Sequence, residues 1–161
     1  MLDSIGNLPL HPLVVHAVVV GAPLAALLGF LFAVPRLRAW ARWPLAVVAV
    51  GAFAAGVVAK ESGEGLQRSL GITPATDTVG PLIAKHAMLA DQLVWVLAGY
   101  GVLALANALV VGRAVGGAVR AVDRVLPVVL VVVGVLVVVW CYRVGDVGAR
   151  AVWNPAGSQT Y

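Results

Sequence analysis

The sequence predicts an all-α fold: a four-helix transmembrane bundle with both termini on the extracytoplasmic side. Three observations carry this expectation. Hydrophobic residues make up 61% of the 161-residue chain and charged residues only 11%, a balance far outside that of soluble globular proteins. The apolar residues gather into four long runs, at 12–34, 44–60, 86–111 and 125–142, each close to the ~20 residues that cross a roughly 30 Å hydrocarbon layer. The segments between the runs also differ in charge. Those at 36–43 and 112–124 hold six arginines against one acid, Asp123, whereas the opposite face has five Lys or Arg against five acids. Positive charge is retained in the cytoplasm, so four crossings leave both ends outside. Residues 1–161 read as a single multi-pass domain of a bacterial inner membrane, with the lipid bilayer as its first partner.

The first run opens with Pro12, suited to a first helical turn because its missing N–H is not needed there. Pro23, within Gly21-Ala22-Pro23, is expected to kink the helix. Pro35 closes it, and Arg36, Arg38, Trp40, Arg42 and Trp43 make a short basic, aromatic turn of the kind found at a cytoplasmic headgroup layer. The second run starts at Pro44 and is short for a crossing unless KESGEGLQRSLG, from Lys60 onward, continues the helix as a polar extension. Lys60, Glu64 and Arg68 have the i,i+4 spacing that supports such an extension. Small residues over 52–59 allow close helix approach. Residues 71–80, with Pro74 and Asp77, form a loop.

The third helix starts near Pro81, takes in Lys85 and His86, and carries Asp91, Gln92 and Asn107 into the apolar run. Such groups face the bundle or a wet cavity when they lie in a membrane helix. His86, Leu93, Leu97, Tyr100 and Asn107 follow one stripe at 100° per residue, from which Asp91 falls about 140° away. The fourth run is nearly pure Val and Leu, with Pro127 in its first turns, and the tail after Tyr142 leaves the membrane. Asp3, with no Lys or Arg before the first run, does not resemble the basic start of a cleaved signal peptide. The first span is therefore expected to be retained.

One cysteine, Cys141, leaves no internal disulfide and no multi-cysteine metal site; it reads as a small interfacial filler. No nucleophile elbow, Walker loop, HExxH or CxxC motif occurs, so a binding or structural module is favoured over an enzyme. The arginine clusters are explained by topology, and no nucleic-acid partner is implied.

The unusual chemistry gathers at the outer helix ends, where His11, His16, Lys60, Glu61, Glu64, His86, Arg143 and Asp146 all fall. His11, next to Pro12, reads as a helix cap. His16, one turn deeper, and His86, at a matched depth, are expected to face the bundle and form the ligand pair. Two imidazoles from different helices suit the axial positions of a haem b or part of a divalent-metal site. For a metal, His11, Glu61, Glu64 and Asp146 join them as candidate ligands. Asp91 is expected to pair with His16, Lys60 or Arg143, and Asn107 to bond between helices. The alternative is a cofactor-free structural subunit or docking scaffold, in which the histidines bond Glu61, Asp146 or backbone.

LPLHPLVVH at residues 8–16, a histidine opening the third span, and YRVGDVGARAVW at 142–153 resemble a bacterial family of small four-helix predicted membrane proteins of unknown function. The resemblance spans nearly the whole chain and falls on His11, Pro12, His16, His86, Tyr142, Arg143, Gly145, Gly148 and Trp153. Some relatives are fused or linked to Rieske iron–sulfur domains, which implies a membrane or extracytoplasmic redox protein as partner. Independently of the resemblance, a homo-oligomer is the other partner expected. Two departures stand out. Ala17-Val18 replaces a frequent Phe-Pro, and Asp146 stands near where relatives often carry histidine.

Overall fold

The computed structural model describes residues 4–5, 8–73, 78–111 and 117–156, with side chains not described at 4, 5, 8 and 117–121. Four helices account for most of them: α1 (Leu10–Ala33), α2 (Arg38–Leu70), α3 (Gly80–Val110) and α4 (Gly117–Trp153). Two-residue strands at Ser4–Ile5 and Leu8–Pro9 pair antiparallel just before α1. Each helix is long and apolar enough to cross a membrane.

Helices, unlike apolar runs, do not stop where hydrophobicity stops. α2 begins at Arg38, six residues before Pro44, and absorbs the whole KESGEGLQRSL segment. Gly71, at φ 65°, ends it in the left-handed region that glycine alone enters freely, and its N–H closes on the Arg68 and Gln67 carbonyls. α3 begins at Gly80, six residues ahead of His86, with Pro81 in its first turn. α4 runs on through Tyr142 to Trp153, so the expected tail is a helical extension. Pro23, Pro44 and Pro127 all lie inside continuous helices. Part of the expected loops, including Pro74, Asp77 and Arg113, lies outside the described residues.

The helices pack in a ring, α1 against α2, α2 against α3, α3 against α4 and α4 back against α1. α1 and α3 therefore stand on one diagonal. Contacts between the start of α1 (His11) and late α2 (Ala59), and between the start of α3 (His86) and late α4 (Val144), put these four segments at the same end of the bundle. The other end joins early α2 to the end of α3 through an Arg42 guanidinium bond to the Val111 carbonyl.

The core runs along the axis and is built from alanines together with Phe32 and Leu45 on α1 and α2, against Leu93, Leu97 and Tyr100 of α3 and Leu130 and Val137 of α4. Tyr100 is fully buried, and its hydroxyl donates to the Ala25 carbonyl across the bundle at 2.9 Å. Gly29 makes that possible, because a side chain there would collide with the Tyr100 hydroxyl. Asn107, also fully buried, donates to the Leu103 carbonyl at 2.8 Å and to the Leu126 carbonyl of α4 at 3.4 Å, as expected of a residue bonding between helices. Cys141 is a buried free thiol within the core.

Candidate functional site

At the α1 start, His11 lies one residue inside the helix and turns across to α2. Its Nδ1 sits 2.8 Å from the Ala59 carbonyl oxygen. A carbonyl can only accept, so Nδ1 carries the proton, and in the neutral ring the lone pair is left on Nε2. The ring is seated on Gly63, one turn beyond Ala59: a Cβ built there would lie 2.9 Å from both Cε1 and Nδ1 of His11.

His86 repeats the arrangement on the other half. Its Nδ1 donates to the Val144 carbonyl of α4 at 3.0 Å, and its ring rests on Gly148, where a Cβ would lie 3.0 Å from Cε1 and Nδ1. Both rings are partly buried. Their centroids are 6.4 Å apart and their planes are at 88°. Two imidazoles from diagonal helices, each held by Nδ1 on a carbonyl, thus meet near the bundle axis with Nε2 as the remaining basic atom.

This pairing corrects the expected one. His16 was expected to face the bundle with His86, but its ring is exposed on the outer surface and its Nδ1 donates to the Pro12 carbonyl of its own helix at 2.6 Å. The reason is angular: five residues turn a helix by about 500°, so His16 points some 140° away from His11. Asp91 stands five residues after His86 and is turned outward for the same reason, its side chain 54% exposed. It lies 3.9 Å from Lys60 Nζ, one of the partners anticipated for it. His11, expected as a cap, is the member of the pair on α1.

The acids do not reach the rings. Lys60 binds Glu64 at 2.7 Å and Arg150 binds Asp146 at 3.1 Å, both i,i+4 along one helix, while Glu61 is exposed. Among the described residues no group of three or more His, Cys, Asp or Glu is placed to hold a metal ion. The histidines bond backbone, not Glu61 or Asp146. Arg143 is exposed, its guanidinium 5.1 Å over the Trp140 ring, and the Trp140 indole donates to Gln92 Oε1 at 3.0 Å. Trp95 and Tyr142 are the most exposed aromatics at this level, as Trp40 and Trp43 are at the opposite end.

Sequence reasoning missed the seats Gly63 and Gly148 and the carbonyls of Ala59 and Val144. Each histidine is matched by a glycine on the next helix, four residues beyond its bonded carbonyl, a pattern that only the folded bundle brings out.

Searches among curated proteins and solved structures give no match. A protein-family profile matches residues 7–159, nearly the full length and including every residue of the histidine pair and its seats. The chain belongs to that family, the predicted membrane proteins DUF2231.

Proposed function

We propose that this membrane protein is a non-enzymatic binding module that holds a metal-centred group between Nε2 of His11 and Nε2 of His86. The observation that carries the reading is the shared geometry of the two rings. A histidine that binds metal usually donates its other N–H to a carbonyl or carboxylate, which fixes ring and tautomer, and both rings have that partner already. Imidazole nitrogen binds a first-row metal at about 2 Å and the ring centroid lies about 1 Å farther, so two rings opposed across one metal stand about 6 Å apart. Those of His11 and His86 stand 6.4 Å apart. Two protein ligands suit the axial positions of a haem b iron, whose macrocycle supplies the rest; a divalent ion would complete its shell with solvent or a partner's atoms.

Purification after expression with haem and metals supplied tests this. The expected product carries either a Soret band or one metal per chain, lost in His11→Ala and His86→Ala and kept in His16→Ala. A colourless, metal-free protein overturns it. The second reading, a cofactor-free scaffold, is favoured by the same Nδ1 bonds acting as staples between helices, and it predicts that the two variants lose stability with nothing bound to lose.

The membrane setting is part of the proposal. Outward-facing His16, Asp91, Gln92 and Arg143 mark one boundary of the hydrocarbon, and Arg38, Arg42 and Arg124 the other. Arg42 to Lys60 and Arg124 to Arg143 each span about 27–29 Å at 1.5 Å per residue, close to the ~30 Å layer. Exposed Trp95 lies near the first boundary and exposed Trp40 and Trp43 near the second, as interfacial aromatics do. His11 and His86 then lie about 7 Å outside the lipid, in a helical crown open to water. With the arginine end in the cytoplasm of a bacterial cell, that crown and both termini face outward, where an extracytoplasmic redox protein or a second copy of the chain has access. A reporter fused after residue 161 that reads as cytoplasmic refutes this orientation.

A further inference from the structure

The bundle contains the same helix hairpin twice. Between α1 and α3, the His11–His86 ring contact and the Tyr100 hydroxyl bond to Ala25 both join positions 75 apart in sequence. Where a residue meets its own equivalent, a two-fold axis passes between them. The same displacement carries buried positions of α1 onto buried positions of α3: Val18 to Leu93, Ala22 to Leu97, Phe32 to Asn107. For α2 and α4 the displacement is 85. It carries Ala59 to Val144 and Gly63 to Gly148, the carbonyls and seats of the two histidines. It also carries buried Leu45 to Leu130, Ala52 to Val137 and Gly56 to Cys141. The ten-residue difference falls in the connection between the helices of the second hairpin and in the lengths around it.

Both hairpins start at the same end, so the axis runs along the bundle and, in a membrane, along its normal. That is the arrangement of a parallel repeat, not an inverted one. The outward groups obey it as well: His16 and Asp91 are equivalents, 75 apart and both exposed.

We infer that His11 and His86 are one ligand residue presented twice, and that the site on the axis takes a metal centre with two equivalent, opposed coordination positions, one filled by each hairpin. This rests on the proposed binding function and narrows it. A ligand that needs two different side chains does not suit a site whose two halves are alike, and a centre such as a square-planar macrocycle metal or a linearly ligated ion does.

Cu²⁺ is the probe, added to the metal-free full-length protein in detergent. The expected result is one Cu²⁺ per chain with two equivalent imidazoles by pulsed EPR. His11→Ala and His86→Ala each leave one imidazole and weaken binding by the same factor, within about threefold, while His16→Ala changes nothing. Tight binding that one histidine carries alone, or variants differing more than tenfold, overturns the equivalence while leaving a binding function intact. Absence of any Cu²⁺ or haem binding defeats the proposed function instead. The repeat is then decided by Gly63→Ala and Gly148→Ala, which crowd the same two atoms of equivalent rings. Matched drops in thermal midpoint, each abolished when the facing histidine is already Ala, support it. A drop in only one of the two overturns it.

Discussion

His11 and His16 share a helix, an amino-acid type and an Nδ1 bond to a carbonyl, yet they belong to different regions of the molecule. His11 reaches 48 residues along the chain to Ala59, whereas His16 bonds Pro12, four residues back. One ring closes a tertiary contact between helices, and the other satisfies itself on the exposed surface of its own helix. The contrast recurs on α3, where His86 turns inward to Val144 and Asp91 outward beside Lys60. In a bundle this narrow, five residues of sequence decide between a shared site and a solitary one.

The largest effect that sharpens this contrast is expected from the inward rings. His11→Ala and His86→Ala each remove an interhelical hydrogen bond and leave a void over a glycine, and should cost about 1–3 kcal/mol in thermal unfolding in detergent. Equal losses from His16→Ala would erase the distinction between the two regions. Next, Gly29→Ala should destabilise by about 1–3 kcal/mol through overpacking against the buried Tyr100 hydroxyl, and Tyr100→Phe should partly relieve that defect because the colliding oxygen is gone. A double variant no more stable than Gly29→Ala alone would show that the contact is not the cause. Tyr100→Phe by itself should cost about 1 kcal/mol for the lost bond to Ala25. His16→Ala should change stability by no more than about 0.5 kcal/mol. Asp91→Asn should matter least, since the carboxylate is half exposed and 3.9 Å from Lys60, and a shift in midpoint as large as that of His86→Ala would place it in the inward region.

The four helices were legible because hydrophobic length in a membrane protein has one common meaning. Their ends were not, since polar residues such as 60–70 and 143–153 continue a helix as readily as they end a span. Asn107, polar within an apolar run, points to the bundle interior by the cost of leaving such a group in lipid, and it is buried there. The histidine pair was half legible. The 140° argument that separates Asp91 from His86 applies unchanged to His16 and His11, and it identifies His11 as the inward partner. Pro12, a helix-start signal, instead makes His11 read as a cap. The seats at Gly63 and Gly148 needed the third dimension, because nothing in a single sequence says which glycine faces which ring. The repeat stayed hidden because equivalent positions rarely keep the same residue: Tyr100 answers Ala25, and Asn107 answers Phe32.

The packing around Tyr100 closes the middle of the bundle. Below the histidine pair the axis is closed by Leu93, Leu97, Tyr100 and Phe32, all buried, with the one hydroxyl among them already committed to Ala25. The histidine pair thus lies to one side of a buried apolar layer that α1 and α3 build together.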